Sequence, residues 1–266
     1  MAFAEQSGHW YQLLDSGQVI ARHEANLTIA RKEKLYTSAT SVGKMRAKPA
    51  LDGWIKKAIV RAVEITPRAP GESDDSYFSR VEAVSDGKRN RAAQFGTALH
   101  ASVEQGFPVK LEISPWLNYC MDFLKDNFTA VWYQEKKVAD WRIGVAGTVD
   151  LIGLHKDGYP AILDWKGQSC KGKKPTFYPE WVEQLAFYDS AYRLANPMPE
   201  RCRLISAVID SDEPSPVVAK YWTEDEAIEG YRRFLCTAYT WQSIKPMGGF
   251  FPGRNGKWSP ASLWSY

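Results

Sequence analysis

The sequence predicts an α/β (α+β) fold: a mixed central sheet holding an antiparallel hairpin, flanked by helices, with a further helical region ahead of it. Three observations predict it. Runs between Ala130 and Trp222 have the apolar, β-branched and aromatic content of strands. Segments with helical spacing precede them, separate the third run from the fourth and follow the last. Asp157–Gly158 lies between the second and third runs, and Asp-Gly is a strong hairpin-turn signal. Helices, then hairpin strands, then a helical crossover and return strands describe one layered domain.

Each element has a local reason. Tyr36–Lys44, "YTSATSVGK", is polar and extended. Pro49–Val63 places Leu51, Trp54, Ile55, Ala58, Ile59 and Ala62 at helical spacing. Thr66–Ser76 is a loop rich in Pro, Gly and acids, and a helix starts near Asp75. Another helix is expected from about Arg89 to Gln105, with Phe95, Leu99 and Val103 on one stripe. Ser114 followed by Pro115 is an N-cap and first-turn signal for the helix carrying Trp116, Leu117, Cys120, Phe123 and Leu124. The strand runs are "AVWYQEKKVA", "RIGVAGTVDLIGL", "YPAILDWKG", "RCRLISAVID" and "PVVAKYW". Amphipathic helices are expected at about Pro179–Ala195 and Glu224–Gln242. The whole chain, 1–266, reads as a single domain. About 1–92 is an N-terminal helical region, about 93–245 the core, and 246–266 a tail.

With 266 residues and a 44% apolar share, the chain can bury a sizeable core. The net charge of +3 identifies no partner, but its distribution is uneven. Arg31–Arg61 holds nine bases against two acids, and Glu200–Glu229 eight acids against three bases. A positive face of that kind suits a polyanion. No run has the length and apolarity of a bilayer span. The N-terminus lacks the pattern of a secretory signal, so a cytoplasmic location and no membrane partner are expected. Cys120, Cys170, Cys202 and Cys236 are widely spaced without a CxxC pair, which argues against zinc or iron–sulfur ligation and fits a reducing compartment.

Three charges stand in runs that otherwise read as buried strand: Asp150, Asp164 and Lys166. Burying a charge is costly unless it is paired, hydrogen-bonded or bound to metal. Side chains alternate along a strand, so Asp164 and Lys166 share a side. A hairpin symmetric about Asp157 sets Asp150 opposite Asp164, with Cα atoms roughly 4.5–5.5 Å apart. Facing carboxylates repel, and a divalent cation removes the conflict. Mg²⁺ suits one or two carboxylates, waters and a substrate phosphate. An adjacent Lys supplies a point charge for phosphate or orients water. This is the equipment of metal-assisted phosphodiester hydrolysis. Asp-x-Lys on its own is common and more often a surface pair. Its company sharpens it: "QFGTALHASVE" with His100 and Glu104, Glu135 in the preceding strand, and "VEQLAFYDSAY" with Gln184 and Tyr188 one turn apart.

In that order, "GTALH", "GTVD", "LDWK" and "QLAFY" resemble the PD-(D/E)XK nuclease superfamily in its RecB-like exonuclease branch, over roughly Gln94–Tyr192. The upstream "SATSVGKMRAKPALDGW" resembles the start of phage-encoded and mitochondrial-genome-maintenance exonucleases of that branch. The resemblance implies a restriction-endonuclease-like core and a metal-dependent DNA exonuclease acting in phage or cellular recombination, replication or repair. It implies that Asp150, Asp164, His100 and the Trp165 backbone carbonyl bind Mg²⁺ or Mn²⁺. Lys166 would position or activate water. Gln184 and Tyr188 would support the site and touch the DNA backbone, with Glu104 and Glu135 as outer contributors. Lys44, Arg46, Lys171, Lys173 and Lys174 would flank the DNA path, and some aromatics would stack on unpaired bases. The partners expected are DNA with a free end and a recombination or single-strand-binding protein. Some relatives hold an iron–sulfur cluster through clustered cysteines; here Cys202 and Cys236 are isolated, and no cluster is expected. The alternatives are a structure-specific endonuclease or RNA-directed enzyme of the same fold, or a nucleic-acid-binding protein with a retired site.

Overall fold

Apolar residues fill most of Val145–His155 and Pro160–Gln168, so these segments gain most by lying inside a sheet covered on both faces. The computed structural model describes residues 10–46, 49–87, 114–198 and 200–245. In chain order its elements are β1 (Trp10–Leu13), β2 (Val19–Ala21), α1 (Leu27–Glu33), β3 (Tyr36–Ser38), α2 (Ala39–Gly43) and α3 (Pro49–Ile65). A helix over 74–87 is α4. Then come α5 (Ser114–Asn127), β4 (Phe128–Asp140), β5 (Val145–His155), β6 (Pro160–Gln168), α6 (Pro179–Ala195), β7 (Arg203–Asp210), β8 (Val218–Trp222) and α7 (Glu224–Ile244). The helix expected at Arg89–Gln105 lies outside the described residues.

The strands form one mixed sheet in the order β2-β1-β3-β5-β6-β7-β8, with β4 paired to β5. The β3–β5 and β6–β7 pairs are parallel and the others antiparallel. The hairpin follows the expected symmetry about Asp157: Leu151 faces Leu163, and the pairing runs on to Leu154 with Pro160. His155 N–H donates to the Tyr159 carbonyl at 2.9 Å, and Gly158 takes φ +87° at the tip.

Strand β5 is the organiser. Strand β4 ladders along its length on one edge. The other edge is divided, with β3 at Val145–Ala146 and β6 at Leu151–Leu154. Between them the sheet forks. Around this frame two buried cores form. On one side Ile152, Ile162 and Leu204 meet α6 and α7, where Phe187 stacks on Phe234 at 4.6 Å. On the other, Leu151, Leu163, Trp165 and Ile205 meet Leu117, Cys120 and Leu124 of α5. Pro179 opens α6, and a Thr223/Glu226 capping box opens α7, in line with the local starts.

The N-terminal region departs from the helical expectation by contributing β1, β2 and β3 to the sheet. Each is only three or four residues long, too short for a period of two to stand out from a helical one.

Strand β4 reaches its register through shifts flanking Thr129 and Trp132. The irregularity brings the Ala130 carbonyl oxygen onto Gly153, where a Cβ would overlap it. Gly153→Ala must push β4 off β5 and is expected to lower unfolding stability by about 1–3 kcal/mol, read as a fall in the urea midpoint without a change in slope. An unchanged midpoint would show that the two strands separate freely there.

Candidate active site

The fork exposes a problem that a side chain solves. Beyond Leu151–Leu163 the β5–β6 ladder stops, and the Trp165 N–H turns toward β5 with no strand carbonyl to meet it. Asp150 fills that place: its Oδ2 accepts from Trp165 N–H at 2.7 Å. The carboxylate is thereby held at the mouth of the fork, beside the next two side chains of β6 on the α6 side.

Those two are Asp164 and Lys166. Lys166 Nζ lies 2.6 Å from Asp164 Oδ2, with the carboxylate side chain 5% and the lysine 22% exposed. The buried Asp164 carboxylate is therefore ion-paired by the Lys166 ammonium. Lys166 Nζ also donates to Gln184 Oε1 at 3.3 Å, and Gln184 Nε2 donates to the Tyr188 hydroxyl at 2.8 Å. The amide orientation follows from chemistry: an ammonium only donates, so the amide oxygen must face it and the NH₂ must face the phenol. The Tyr188 ring fits against Gly147 of "GTVD", where a Cβ would come 2.6 Å from ring Cε1.

Two side chains of the cluster hold their protons. Burial alone would pull the Lys166 pKa down, but Asp164, Asp150 and Glu180 outweigh it and raise it. Lys166 is therefore an ammonium throughout the neutral range. Burial, then Asp164 and Asp150, push the Tyr188 phenol well above its ordinary range against the Gln184 hydrogen bond, so it stays protonated.

The structure thus brings together Asp150, Asp164, Lys166, Gln184 and Tyr188. Trp165 sits among them, its ring turned to the other face against Phe123 at 5.9 Å. Glu135 is half-buried with φ +49°, and the flanking pairs Gln134–Leu151 and Lys136–Val149 set it across from Asp150. Its charge helps burial raise the pKa of Tyr11, whose hydroxyl meets Thr148 Oγ1 at 3.1 Å. His100 and Glu104 lie outside the described residues. Lys171, Lys173 and Lys174 are exposed on the loop after β6, and Lys44 is exposed at the end of α2. Arg46, expected along the DNA path, is engaged inside the fold: its guanidinium meets buried Glu183 at 2.5 Å and Thr237 at 3.1 Å. A second arginine, Arg233, reaches Glu183 at 3.0 Å.

Sequence reasoning missed several neighbours. Glu180 and Trp181, in the first turn of α6, flank Lys166. A signal existed, since Trp181, Gln184 and Tyr188 are spaced i, i+3, i+7 on one helical face. Glu183, an acid amid "WVEQLAF", is the buried clasp between α6, α7 and the segment after α2. Only its setting in an apolar helix hinted at burial.

Among the described residues no group of three His, Cys, Asp or Glu side chains converges on one point. The two neighbouring carboxylates, Asp150 and Asp164, match a hard cation that completes its shell with water and substrate oxygens.

Residues 121–252 match the family model of the PD-(D/E)XK nuclease superfamily. The matched segment contains Asp150, Asp164, Lys166, Gln184 and Tyr188. A comparison with curated proteins finds no match. Among solved structures, one titled "Crystal structure of SSO0001" aligns over 74% of this chain and 86% of its own at 14% identity. The TM-score is 0.32.

The Lys166 proton gives a direct check. A lysine pKa raised by folding contributes stability that is fully present below its unfolded pKa, about 10.4, and is lost as pH rises through the folded value. Asp164→Asn removes the leading attraction and keeps the burial, so the Lys166 pKa should fall. NMR titration of the lysine side chain reads this, and an unchanged value would mean that Asp164 does not hold the proton.

Proposed function

We propose that the protein is a metal-dependent DNA exonuclease of the RecB-like branch, hydrolysing phosphodiester bonds from a free end. The observation that carries this is the convergence of Asp150, Asp164 and Lys166 at the fork, with the Asp164 carboxylate buried against the Lys166 ammonium. The superfamily match points to metal-dependent cleavage of nucleic acid. The order "GTALH", "GTVD", "LDWK", "QLAFY" supports the branch and the exonuclease action.

In this reading Asp150, Asp164, the Trp165 carbonyl and His100 hold Mg²⁺ or Mn²⁺. A cation bound there supplies Lewis acidity toward the phosphate and lowers the pKa of coordinated water. Lys166 works as a positioned point charge. It faces a phosphate oxygen and positions or activates the attacking water. Gln184 fixes the Lys166 direction, and Tyr188 fixes the Gln184 amide. Lys44, Lys171, Lys173 and Lys174 contact the DNA backbone. A role in recombination, replication or repair, beside a single-strand-binding protein, fits an end-dependent activity.

End-labelled linear DNA in Mg²⁺ is the test. Asp164→Ala and Asp150→Asn should lower hydrolysis by about 10²–10⁴-fold or more while leaving DNA binding near the wild-type level. Lys166→Ala should lose turnover yet keep metal binding by calorimetry, because the ammonium is not a ligand. Full activity of Asp164→Ala would remove the site assignment. Linear DNA should be degraded while covalently closed circles survive, and rapid cleavage of circular single strands would make the enzyme an endonuclease.

A further inference from the structure

Beside the site stands an aromatic corner that the catalytic reading does not use. Phe177 and Tyr178 end the loop after β6, and Trp181 lies in the first turn of α6. Trp181 meets the Phe177 ring edge-on at 6.0 Å and the Tyr178 ring at 5.2 Å. None of the three belongs to either buried core. Tyr178 is 41% exposed, and the Trp181 ring centre is 6.0 Å from Lys166 Nζ. Phe177 and Trp181 are half-buried and Tyr178 is exposed, so the corner offers ring surface beside the reaction centre.

The loop that delivers them is fixed in place. Gln168 clasps Thr176 with paired hydrogen bonds at 3.1 and 2.8 Å. Asp210 Oδ1 accepts from Cys170 N–H at 3.2 Å, and Asp212 Oδ2 from Lys171 N–H at 3.1 Å. Between these anchors Lys171, Lys173 and Lys174 face solvent. A basic segment therefore leads to a rigid aromatic corner, and the corner abuts Lys166.

Building on the nuclease reading, we propose that Tyr178 and Trp181 form a base-stacking subsite for an unpaired nucleotide next to the scissile phosphate, making single-stranded or frayed DNA the substrate. A base inside a duplex has both faces covered by its neighbours and cannot stack on a side chain. An unpaired base can, with little regard to sequence. The lysines neutralise the phosphates on either side of that base, and the stack sets its phosphate against Lys166.

Binding in EDTA tests this apart from cleavage. Fluorescence anisotropy of the full chain is measured with a labelled oligothymidylate, an abasic tetrahydrofuran strand of equal length and a blunt hairpin duplex. Tyr178→Ala and Trp181→Ala should each weaken oligothymidylate binding roughly 5- to 150-fold. Duplex binding should change less than twofold, and Trp181→Phe should recover most of the loss. The wild type should hold the abasic strand no better than the alanine variants do. Tyr178 is partly exposed, so its variant keeps the test valid if Trp181→Ala folds poorly. Unchanged oligothymidylate binding in Tyr178→Ala, or equal losses on strand and duplex, would overturn the subsite. Wild-type protein that binds strands in this pattern but cleaves nothing in either Mg²⁺ or Mn²⁺ would instead overturn the nuclease reading and leave the subsite standing.

Discussion

A carboxylate stands where a sheet would ordinarily place a carbonyl. When β5 shares one edge between β3 and β6, the two partners must part, and the parting leaves the Trp165 N–H without a ladder acceptor. A buried N–H left unpaired costs about 1–3 kcal/mol. Asp150 removes that cost, and in doing so is oriented by the backbone itself. The same bond thus closes the fork and aims one of the site's two acids. Asp164 and Lys166 follow from strand alternation once that fork is set.

Helix α6 answers to two demands with one register. Its Gln184 and Tyr188 reach over the sheet to Lys166 and Gly147, while Glu183, the residue before Gln184, turns away to Arg46 and Arg233. Adjacent helical residues point about 100° apart, so the clasp and the site contacts cannot compete for the same side. Burial raises the Glu183 carboxyl pKa, and the two arginines offset only part of that. The clasp is therefore better regarded as a rotational stop for α6 than as a source of net stability. A second polar knot ties the turn after β4 to the same helices: Arg142 forks onto buried Asp140 and reaches Ser190, whose hydroxyl meets Tyr231.

Much of the core was legible because its signals are local. Asp157–Gly158 announces the hairpin, and the spacing about it matches the observed register of Leu151 with Leu163. Pro179 and the run to Ala195 mark α6 from end to end. The apolar residues around Asp150, Asp164 and Lys166 mark them as buried charges in need of partners, whatever the fold around them. The Trp181–Gln184–Tyr188 spacing is equally local, three residues on one helical face.

Other features have no local signal. Strands β1, β2 and β3 are too short to show a period, and they exist because β5 has an edge to receive them. Arg46 carries the same charge as its basic neighbours, and nothing in "KMRAK" tells that it turns inward to a carboxylate 137 positions away. The sequence by itself determined which residues had to be compensated, since burial follows from local hydrophobic pattern and charge from residue type. Only the tertiary structure decided how, because the compensating groups come from distant segments: the fork that hands Trp165 N–H to Asp150, the α6 register that sets Gln184 on Lys166, and the loop anchors that hold Tyr178 and Trp181 beside it.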